Sequence, residues 1–463
     1  MNSHCFVAIL LTCALNHAHA EVSKPNVVLI AVDDLNDWIG CLRGHPDARS
    51  PNIDRLAKRG VLFTNAHCQA PICNPSRTSI MYGLRPSNSG IYDNLTEPWK
   101  VQALKDHITL PKHFAANGYK TLTTGKIYHD SGMPANDFEV VGPIPGQRIS
   151  RDVRLIPETK DGARGLWDFG PQAYDEKLFP DYADATWAIE KINEVHEKPF
   201  FLTVGFYRPH VPLYSPKRVF NEISEADIDL PIVKANDRDD VPPVVDKLIA
   251  SRYSPDHDWF VKTDNWRKAV QSYLACIRFT DEQVGRLLDA LDASPHAKNT
   301  IVILYSDHGF FLGEKDHWAK QALWERATRV PLIISAPGHS QGTTSPRPAE
   351  LLSIYPTLIE LCGLTKNNGI DGTSLVPLLK NPQAEWKQPA LTTHYQNNHS
   401  VRTEQYRYTR YNDGSEELYN HQTDPNEWTN IANLPEHSDL KRELAAWFPK
   451  TNQPQAIIKN KQK

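Results

Sequence analysis

The sequence has few cysteines, no excess of basic charge and no long apolar run, and each absence excludes a class of protein. Its 463 residues include only 7 cysteines, none in a close C-x-x-C pair of the kind that zinc modules need. The net charge of −4 gives no indication of a large basic surface for nucleic acid. No stretch is long and apolar enough to span a membrane, and no solenoid or propeller repeat occurs.

The first twenty residues have the pattern of a secretory signal peptide. An apolar run, FVAILLTCAL, precedes the small-x-small site AHA, although no Lys or Arg precedes the run. The alternative is a lipoprotein signal at Cys13, but the residue before that cysteine is neither Gly nor Ala. We expect residues 1–20 to be removed, the mature chain to start near Glu21, and the protein to be exported: periplasmic, secreted or lysosomal, depending on the host.

Removal of this signal would leave an odd number of cysteines. Two of the 7 cysteines lie in the signal segment, so five remain, and at least one of them is outside any internal disulfide. Cys41, Cys276 and Cys362 are most simply small buried apolar side chains, and whether they or Cys68 form disulfides stays open. Cys73 differs because proline, serine and arginine follow it in CNPSR, at a predicted helix start.

Apolar runs and amphipathic segments alternate along the rest of the chain. The predicted strands are NVVLIAV, VLFTNAHC, TLTTGKIYH, PFFLTVGFY, NTIVILYSDHG and RVPLIISAPG. The predicted helices are SPNIDRLAKRG, RTSIMYG (opening directly after Pro75), TLPKHFAANGY, ADATWAIEKINEVHEK and YLACIRFTDEQVGRLLDALDAS. This alternation is typical of the α/β class, with a large, mostly parallel sheet sandwiched by helices.

Acids, histidines and a lysine stand where several of these strands end. The residues at these positions are Asp33 and Asp34, Lys126 and His129, His210, and Asp307 and His308. Taken singly, each is more simply a turn cap, a surface charge or a structural histidine. Because ligands of open α/β sheets bind beyond the carboxyl ends of the strands, the joint placement favours one functional rim. Carboxylates converging there would repel one another unless a hard divalent cation neutralises them: Ca²⁺, or less favourably Mg²⁺.

Longer motifs extend from the first strand to the C-terminal region. They include NVVLIAVDDL, the C-x-P-S-R pattern at residues 73–77 with the less usual Asn74 at its x position, GKIYH, FYRPHVP, SDHGFFLGEKDHWAK, RVPLI and ELYNHQTDPNEWTNIA. Together they resemble the motifs of type I, formylglycine-dependent sulfatases of the alkaline-phosphatase-like superfamily, over nearly all of the mature chain. DDLND, GKIYH and HWAK are most similar to the iduronate-2-sulfatases of that family.

The resemblance implies a chemical role for each of these residues. Cys73 would be oxidised by a formylglycine-generating enzyme to Cα-formylglycine, whose hydrated diol supplies the nucleophilic oxygen. The implied ligands of Ca²⁺ are Asp33, Asp34, residue 73, Asp307 and His308. Arg77 would hold the diol, and Lys126 and Lys320 would contact the sulfate oxygens. His129 would assist breakdown of the sulfated diol, and His210 would protonate the leaving alcohol.

The implied activity is hydrolysis of sulfate esters on carbohydrates, with a 2-O-sulfated uronic acid or a related sugar of a sulfated polysaccharide as the expected substrate. Lys126, His210, Lys320 and Arg208 would bind it, with Arg208 as the candidate for the sugar carboxylate. Further candidates for the pocket wall are His317, Trp318 and the segment 394–399. The long irregular segments 130–180 and 221–259 are expected to be lids or walls. The exact sugar, exo or endo action and the oligomeric state stay open.

Three other functions compete with this interpretation. A phosphoester or phosphonate hydrolase of the same superfamily would share the fold and the metal chemistry. A catalytically dead, secreted glycan-binding protein would have lost one or more of the strand-end groups, and none is missing. A cysteine hydrolase that uses the thiol itself would have no need of the acidic cluster.

The sequence also predicts two units after the signal. We expect a catalytic domain over residues 21–383 and a small α+β subdomain over residues 384–463. In the second unit, THYQNNHSVRTEQYRYTRYND and ELYNH alternate like antiparallel strands, and HSDLKRELAAWF reads as a closing helix. So small a unit rarely stands alone, and we expect it to pack against the main domain.

Overall fold

The computed structural model describes residues 24–129, 132–144, 154–156, 166–250 and 254–456. The expected signal segment, residues 1–20, and parts of the expected irregular segments lie outside these ranges. The strands are β1 (Asn26–Val32), β2 (Val61–Phe63), β3 (Ala66–His67), β4 (Lys120–Gly125), β5 (Val140–Val141), β6 (Phe169–Gln172), β7 (Phe200–Phe206), β8 (Leu213–Pro216), β9 (Thr300–Ser306), β10 (Phe311–Leu312), β11 (Trp318–Ala319), β12 (Leu332–Ser335), β13 (Thr343–Ser345), β14 (Ala349–Glu350), β15 (Ala390–Thr393), β16 (His399–Arg402), β17 (Tyr406–Arg410) and β18 (Glu416–Asn420).

The α-helices surround these strands. They are α1 (Pro51–Ala57), α2 (Cys73–Tyr82), α3 (Pro86–Ser89), α4 (Leu110–Ala116), α5 (Pro180–Asn193), α6 (Lys217–Phe220), α7 (Pro243–Ile249), α8 (His257–Lys262), α9 (Trp266–Ala293), α10 (Glu325–Thr328), α11 (Ile354–Leu361), α12 (Val376–Lys380) and α13 (Ser438–Ala445). Within the described ranges, no helix is both long and apolar enough to cross a membrane.

A large mixed sheet forms the centre of the molecule. Its eight strands lie in the order β13-β2-β12-β9-β1-β7-β4-β5. All neighbours pair in parallel except β12, which is antiparallel to both β2 and β9. The prediction of a mostly parallel sheet is therefore confirmed.

Side chains of β1 alternate between two hydrophobic cores, one on each face of the sheet. Val28 and Ile30 pack into the core that contains residues of α1, α5 and α9. Val27 and Leu29 pack into the core that contains residues of α2, α4 and α11. A strand covered on both faces needs apolar residues at successive positions, which is why NVVLIAV is a nearly unbroken apolar run. Each buried Val or Ile side chain contributes roughly 1.5–3 kcal/mol.

Three predicted elements differ from those observed. Helix α2 begins at Cys73 instead of after Pro75, because the N–H groups of a first helical turn have no partner within the helix and a proline is tolerated there. The segment VLFTNAHC forms two strands: β2 joins the large sheet, and β3 pairs with β14. The two segments expected to be irregular contain regular elements: β5 and β6 lie in the described parts of 130–180, and α7 and the start of α8 lie in 221–259.

A second, smaller sheet follows the large one in the sequence. It has four strands in the order β15-β16-β17-β18, all antiparallel. Leu391 and Val401 of this sheet share a small core with Leu444 of α13. The predicted antiparallel C-terminal sheet and closing helix are both present.

Candidate active site

The parallel register of the large sheet brings its strand ends together. Val32 at the end of β1 pairs with Phe206 of β7 on one side and with Ser306 of β9 on the other. Gly125, which ends β4, pairs with Gly205 of β7. The residues that follow β1, β4, β7 and β9 therefore leave the sheet at one edge, where the sequence predicted a functional rim.

Cys73 lies at this edge as the first residue of α2, and its side chain is fully buried. Its sulfur lies 3.2 Å from Nε2 of His308 and 3.1 Å from Nζ of Lys320. The side chain of His129 also hydrogen-bonds to it. Four segments of the chain thus meet at this one sulfur atom.

Arg77, one turn further along α2, joins the ends of three strands. Its Nε donates to Oδ2 of Asp307 at 2.7 Å, and its Nη2 donates to Oδ1 of Asp33 at 3.1 Å. Its Nη1 donates to the carbonyl oxygens of Lys126 and Ile127. A guanidinium that is 1% exposed and has these partners fixes α2 against β1, β4 and β9.

Two lysines lie on the carboxylates of Asp33 and Asp34. Nζ of Lys126 is 2.5 Å from Oδ2 of Asp33, and Nζ of Lys320 is 2.6 Å from Oδ1 of Asp34. Both ammonium groups are nearly buried. Lys320 follows β11, a region from which the sequence predicted no strand end.

Charge pairing at the rim outweighs the effect of burial on the ionisation of several groups. Burial alone would raise the pKa of the Cys73 thiol, but the positive charges of Lys126 and Lys320 hold that pKa well below its usual range. In the same way burial would raise the pKa of Asp33, and the nearby Lys126 ammonium lowers it below the ordinary range. The surroundings of residue 73 therefore stabilise negative charge on its side chain.

The acidic side of the rim has the donor set of a hard metal ion. Ligand atoms of Asp33, Cys73, Asp307 and His308 lie within 4.8 Å of one another, and so do those of Asp33, Asp34, Cys73 and His210. Asp34 has a left-handed backbone, with φ of 61°, and its buried Oδ2 has no hydrogen-bond partner. Three carboxylates and an imidazole, with one carboxylate oxygen unsatisfied, fit a divalent cation with mostly oxygen ligands.

His210 reaches this cluster from the loop after β7. Its Nε2 lies 3.9 Å from Oδ2 of Asp34, and its Nδ1 lies 2.6 Å from the carbonyl oxygen of Val211. A carbonyl oxygen can only accept, so Nδ1 carries the hydrogen. The Nε2 atom is then the one that faces the rim.

Several residues that were predicted to bind the sugar or line the pocket are buried. Arg208 is 1% exposed, and its guanidinium donates to the carbonyl oxygens of His210 and Tyr214. The indole of Trp318 stacks on Phe260 and is part of the hydrophobic core.

His317 and His394 are both buried, and Nε2 of His317 lies 2.8 Å from the carbonyl oxygen of Lys320. The thiols of Cys41, Cys68, Cys73, Cys276 and Cys362 are all free, which answers the question of disulfides.

Two supporting residues had no role predicted from the sequence. The Tyr273 hydroxyl on α9 donates to the carbonyl oxygen of Asp34 at 2.7 Å, although the residues are 239 positions apart in the chain. Nδ2 of Asn74 donates to the carbonyl oxygens of Asp93 and Thr96. Contacts at such separations depend on packing, and only the place of Asn74 inside C-x-P-S-R could have singled it out.

Comparison with known proteins shows the family and the fold. The sulfatase family model matches residues 25–364, and the model of the C-terminal part of N-sulphoglucosamine sulphohydrolase matches residues 313–453. A sulfatase of Formosa agariphila is 43% identical over 444 residues, covering 93% of this chain and 88% of the relative. Human iduronate 2-sulfatase is 33% identical over 399 residues, covering 75% and 70%.

A solved structure in complex with D-glucosamine-2-N,6-O-disulfate superposes with a TM-score of 0.73 at 24% identity, covering 92% of this chain and 96% of the other. This similarity establishes the shared fold. Together with the family match it shows that the chain belongs to the sulfatase family of the alkaline-phosphatase-like superfamily and is a sulfuric ester hydrolase.

Proposed function

We propose that the chain hydrolyses sulfate esters of carbohydrates at residue 73, after a formylglycine-generating enzyme has oxidised the Cys73 thiol to Cα-formylglycine. The observation that carries this proposal is the position of Cys73: at the N-terminus of α2, fully buried, with Lys320 and His308 within 3.2 Å of its sulfur. As its hydrate, formylglycine supplies a nucleophilic hydroxyl and a second hydroxyl through which the aldehyde is regenerated.

The donor set that would hold a divalent cation, Ca²⁺ in preference to Mg²⁺, is Asp33, Asp34, residue 73, Asp307 and His308. When bound, the cation would offset the negative charge that spreads over the sulfate oxygens. The unsatisfied Oδ2 of Asp34 supports this assignment. Arg77 would hold residue 73 through α2 and keep the carboxylates of Asp33 and Asp307 in place.

The lysines and histidines would handle the anion and the protons. Lys126 and Lys320 pair with different carboxylates of the cluster and would contact the sulfate oxygens, where a preorganised charge is most effective. His129, hydrogen-bonded to residue 73, would take up a proton from it. His210, when protonated at Nε2 as well as at Nδ1, would deliver the Nε2 proton to the leaving alcohol, an effect worth about 10²–10⁴ in rate.

For the sugar, we propose a 2-O-sulfated uronic acid or a related unit of a sulfated polysaccharide. The 33% identity to human iduronate 2-sulfatase over three quarters of this chain supports this class.

We further propose that the chain is exported by its first twenty residues. Residues 21–383 would form the catalytic domain, and residues 384–463 the subdomain that packs against it.

A phosphoester or phosphonate hydrolase of the same superfamily is the second candidate. It would use the same fold and cation, so the difference lies in residue 73 and in the charge of the site. Sulfate esters carry one negative charge, and two buried lysines beside one cation suit such a substrate. Turnover of an aryl phosphate or phosphonate at a higher kcat/KM than the matched aryl sulfate would favour this candidate.

The test is mass spectrometry of the tryptic peptide 60–77 from protein made together with a formylglycine-generating enzyme. This peptide also contains Cys68, which is fully buried and lies outside the C-x-P-S-R pattern, so it is an internal control for alkylation. We expect one alkylated cysteine, Cys68, and the mass loss of a thiol converted to an aldehyde at residue 73. Two alkylated cysteines in every preparation would contradict the proposed nucleophile.

Activity assays then decide the substrate class. Converted protein is offered a 2-O-sulfated uronate disaccharide, a 6-O-sulfated glucosamine and an aryl phosphate. We expect the highest kcat/KM for the uronate. A Cys73→Ser variant, which lacks the thiol but keeps a side chain of similar size, should be inactive towards all three.

A further inference from the structure

The His210 loop, residues 207–212, is held in place by two buried ionisable side chains. Asp181, in the first turn of α5, accepts the backbone N–H of Tyr207 at 2.6 Å and that of Arg208 at 3.2 Å, one with each carboxylate oxygen. These bonds fix the backbone immediately before His210. Asp181 is 1% exposed, so its carboxylate is shielded from solvent water that could otherwise bond to the same groups.

Arg208 fixes the other side of the loop. Its Nη1 donates to the carbonyl oxygen of His210 at 2.8 Å, and its Nε donates to that of Tyr214 at 3.2 Å. The hydroxyl of Thr280, on α9, donates to the carbonyl oxygen of Arg208 at 3.1 Å. The main chain on both sides of the imidazole is therefore bonded to buried side chains of α5, α9 and the loop itself.

The charges of the two residues fit this arrangement. Burial raises the pKa of Asp181 to about 6, although the nearby Arg208 acts to lower it. Asp181 is then a carboxylate near neutral pH, able to accept both N–H groups. The guanidinium of Arg208 has only hydrogen-bond donors, which match the two carbonyl oxygens.

We propose that Asp181 and Arg208 are positioning residues for His210, which set the direction of its Nε2 towards the leaving oxygen of the substrate. The hydrogen bonds described for both side chains go to this loop and to Tyr214, and we assign Arg208 to this role in place of contact with the sugar carboxylate. This inference rests on the proposed function, in which His210 supplies the proton. A displacement of about 1 Å in a proton donor can cost as much as ~10²-fold in rate, so the rigidity of this loop has a catalytic consequence.

The proposal makes the effect of Asp181 depend on the leaving group. An alkoxide of a sugar leaves slowly without a proton, whereas a nitrophenolate leaves without one. Asn in place of Asp181 keeps one acceptor oxygen and turns an amide group towards the other N–H donor. We expect Asp181→Asn to lower kcat for the sugar sulfate by ~10–10²-fold and kcat for 4-nitrophenyl sulfate by only about 3-fold or less.

The chain offers a matched control in Asp281 of α9. This carboxylate is also buried, also accepts two backbone N–H groups, those of Asn52 and Ile53, and its pKa is also raised by burial to about 6. Its described hydrogen bonds and ion pair go to Asn52 and Ile53 near the start of α1 and to Arg278 of α9, and not to the His210 loop. Asp281→Asn should therefore lower the two activities by the same factor, whatever it does to stability.

The experiment measures kcat and KM for both esters in converted wild-type protein and in the Asp181→Asn, Arg208→Lys, Asp281→Asn and His210→Ala variants. Arg208→Lys keeps the positive charge but loses the two separate N–H donors of the guanidinium. It therefore tests the same loop independently if Asp181→Asn does not fold. We expect both loop variants to share the leaving-group selectivity of His210→Ala, and Asp181→Asn to add little when combined with His210→Ala.

Equal losses on the two esters in both loop variants would overturn the positioning role. If converted wild-type protein hydrolyses neither ester, the proposed function itself is overturned. A loss on the sugar sulfate alone that is also seen in Asp281→Asn would likewise count against a specific role for Asp181.

Discussion

Lys320 and Asp34 form a buried ion pair beside residue 73, with Nζ of Lys320 2.6 Å from Oδ1 of Asp34 and 3.1 Å from the sulfur of Cys73. Lys320 comes from the segment after β11, and Asp34 comes from the end of β1. One ammonium group thus touches both the proposed cation cluster and the proposed nucleophile. Burial would lower the pKa of Lys320, but Asp34 raises it above the usual range, so the charge is permanent.

Replacement of Lys320 should reduce turnover without unfolding the protein. Lys320→Met removes one preorganised positive charge from the sulfate site, and loss of a single such group typically lowers kcat by about 10²–10³-fold. Lys320→Arg keeps the charge and should retain part of the activity. The measurement is kcat for a sulfate ester in converted protein, with thermal unfolding to verify the fold. A Lys320→Met variant as active as the wild type would rule out contact with the sulfate group.

Removal of divalent cations should abolish activity and lower stability. The cluster of Asp33, Asp34 and Asp307 loses its neutralising partner, whereas a cation at 100 times its Kd adds about 2.7 kcal/mol to the free energy of unfolding. We expect Ca²⁺ to restore both properties more effectively than Mg²⁺ after chelation. The measurements are activity and thermal unfolding across a titration with each ion.

Two substitutions locate the site of this cation effect. Asp34→Asn should remove most of the Ca²⁺-dependent stabilisation, because it replaces a carboxylate whose Oδ2 has no other hydrogen-bond partner. Asp37→Asn, three residues along the chain, should leave the Ca²⁺ response unchanged, because Asp37 pairs with Arg326 and Arg329. Equal responses to Ca²⁺ in both variants would place the cation elsewhere.

The layers and the rim could be predicted because they depend on local patterns. A strand buried on both faces requires a continuous apolar run, as in NVVLIAV, and parallel strands end at a common edge. The positions of Asp33, Asp307 and His210 follow from these two rules. The C-x-P-S-R pattern could single out Cys73 because all its residues are consecutive in the chain.

The remaining features depend on packing between distant segments. Arg208, expected at the sugar, is a local exception: its partners His210 and Tyr214 are two and six residues away, and the conformation of the loop, which the sequence does not reveal, turns their carbonyl oxygens towards its guanidinium. Trp318 was expected at the pocket wall, and its burial against Phe260 of α8 depends on a separate helix. Asp181 lies in an amphipathic helix with nothing in its spacing to connect it to the loop after β7.

The buried imidazole of His394 should make the protein less stable at mildly acidic pH. Burial lowers its pKa from 6.5 to about 4, so between these values the unfolded state binds more protons than the folded state. The free energy of unfolding therefore falls as the pH falls from 6.5 towards 4. At about 1.4 kcal/mol for each pKa unit, the loss approaches ~3 kcal/mol.

The comparison that isolates this histidine is His394→Leu, which has no group that titrates in this range. Urea unfolding at several pH values should give a shallower slope for the variant between pH 6.5 and 4 than for the wild type. Identical slopes would mean that His394 is not neutral and buried in the folded state.

Arg407 should be one of the residues on which the packing of the C-terminal sheet depends. It lies on β17, 1% exposed at its side chain, with Nε 2.6 Å from Oε1 of Glu427 and its Nη2 on Glu325 of α10. Its removal would leave Glu427 without its main cation and Glu325 with Arg402 as its remaining arginine partner, and truncating one partner of a buried ion pair costs roughly 3–5 kcal/mol. Arg407→Met should lose about that much in denaturant unfolding. Arg410→Met, on the same strand but exposed, should lose far less, and similar losses in the two variants would refute a structural role specific to the buried arginine.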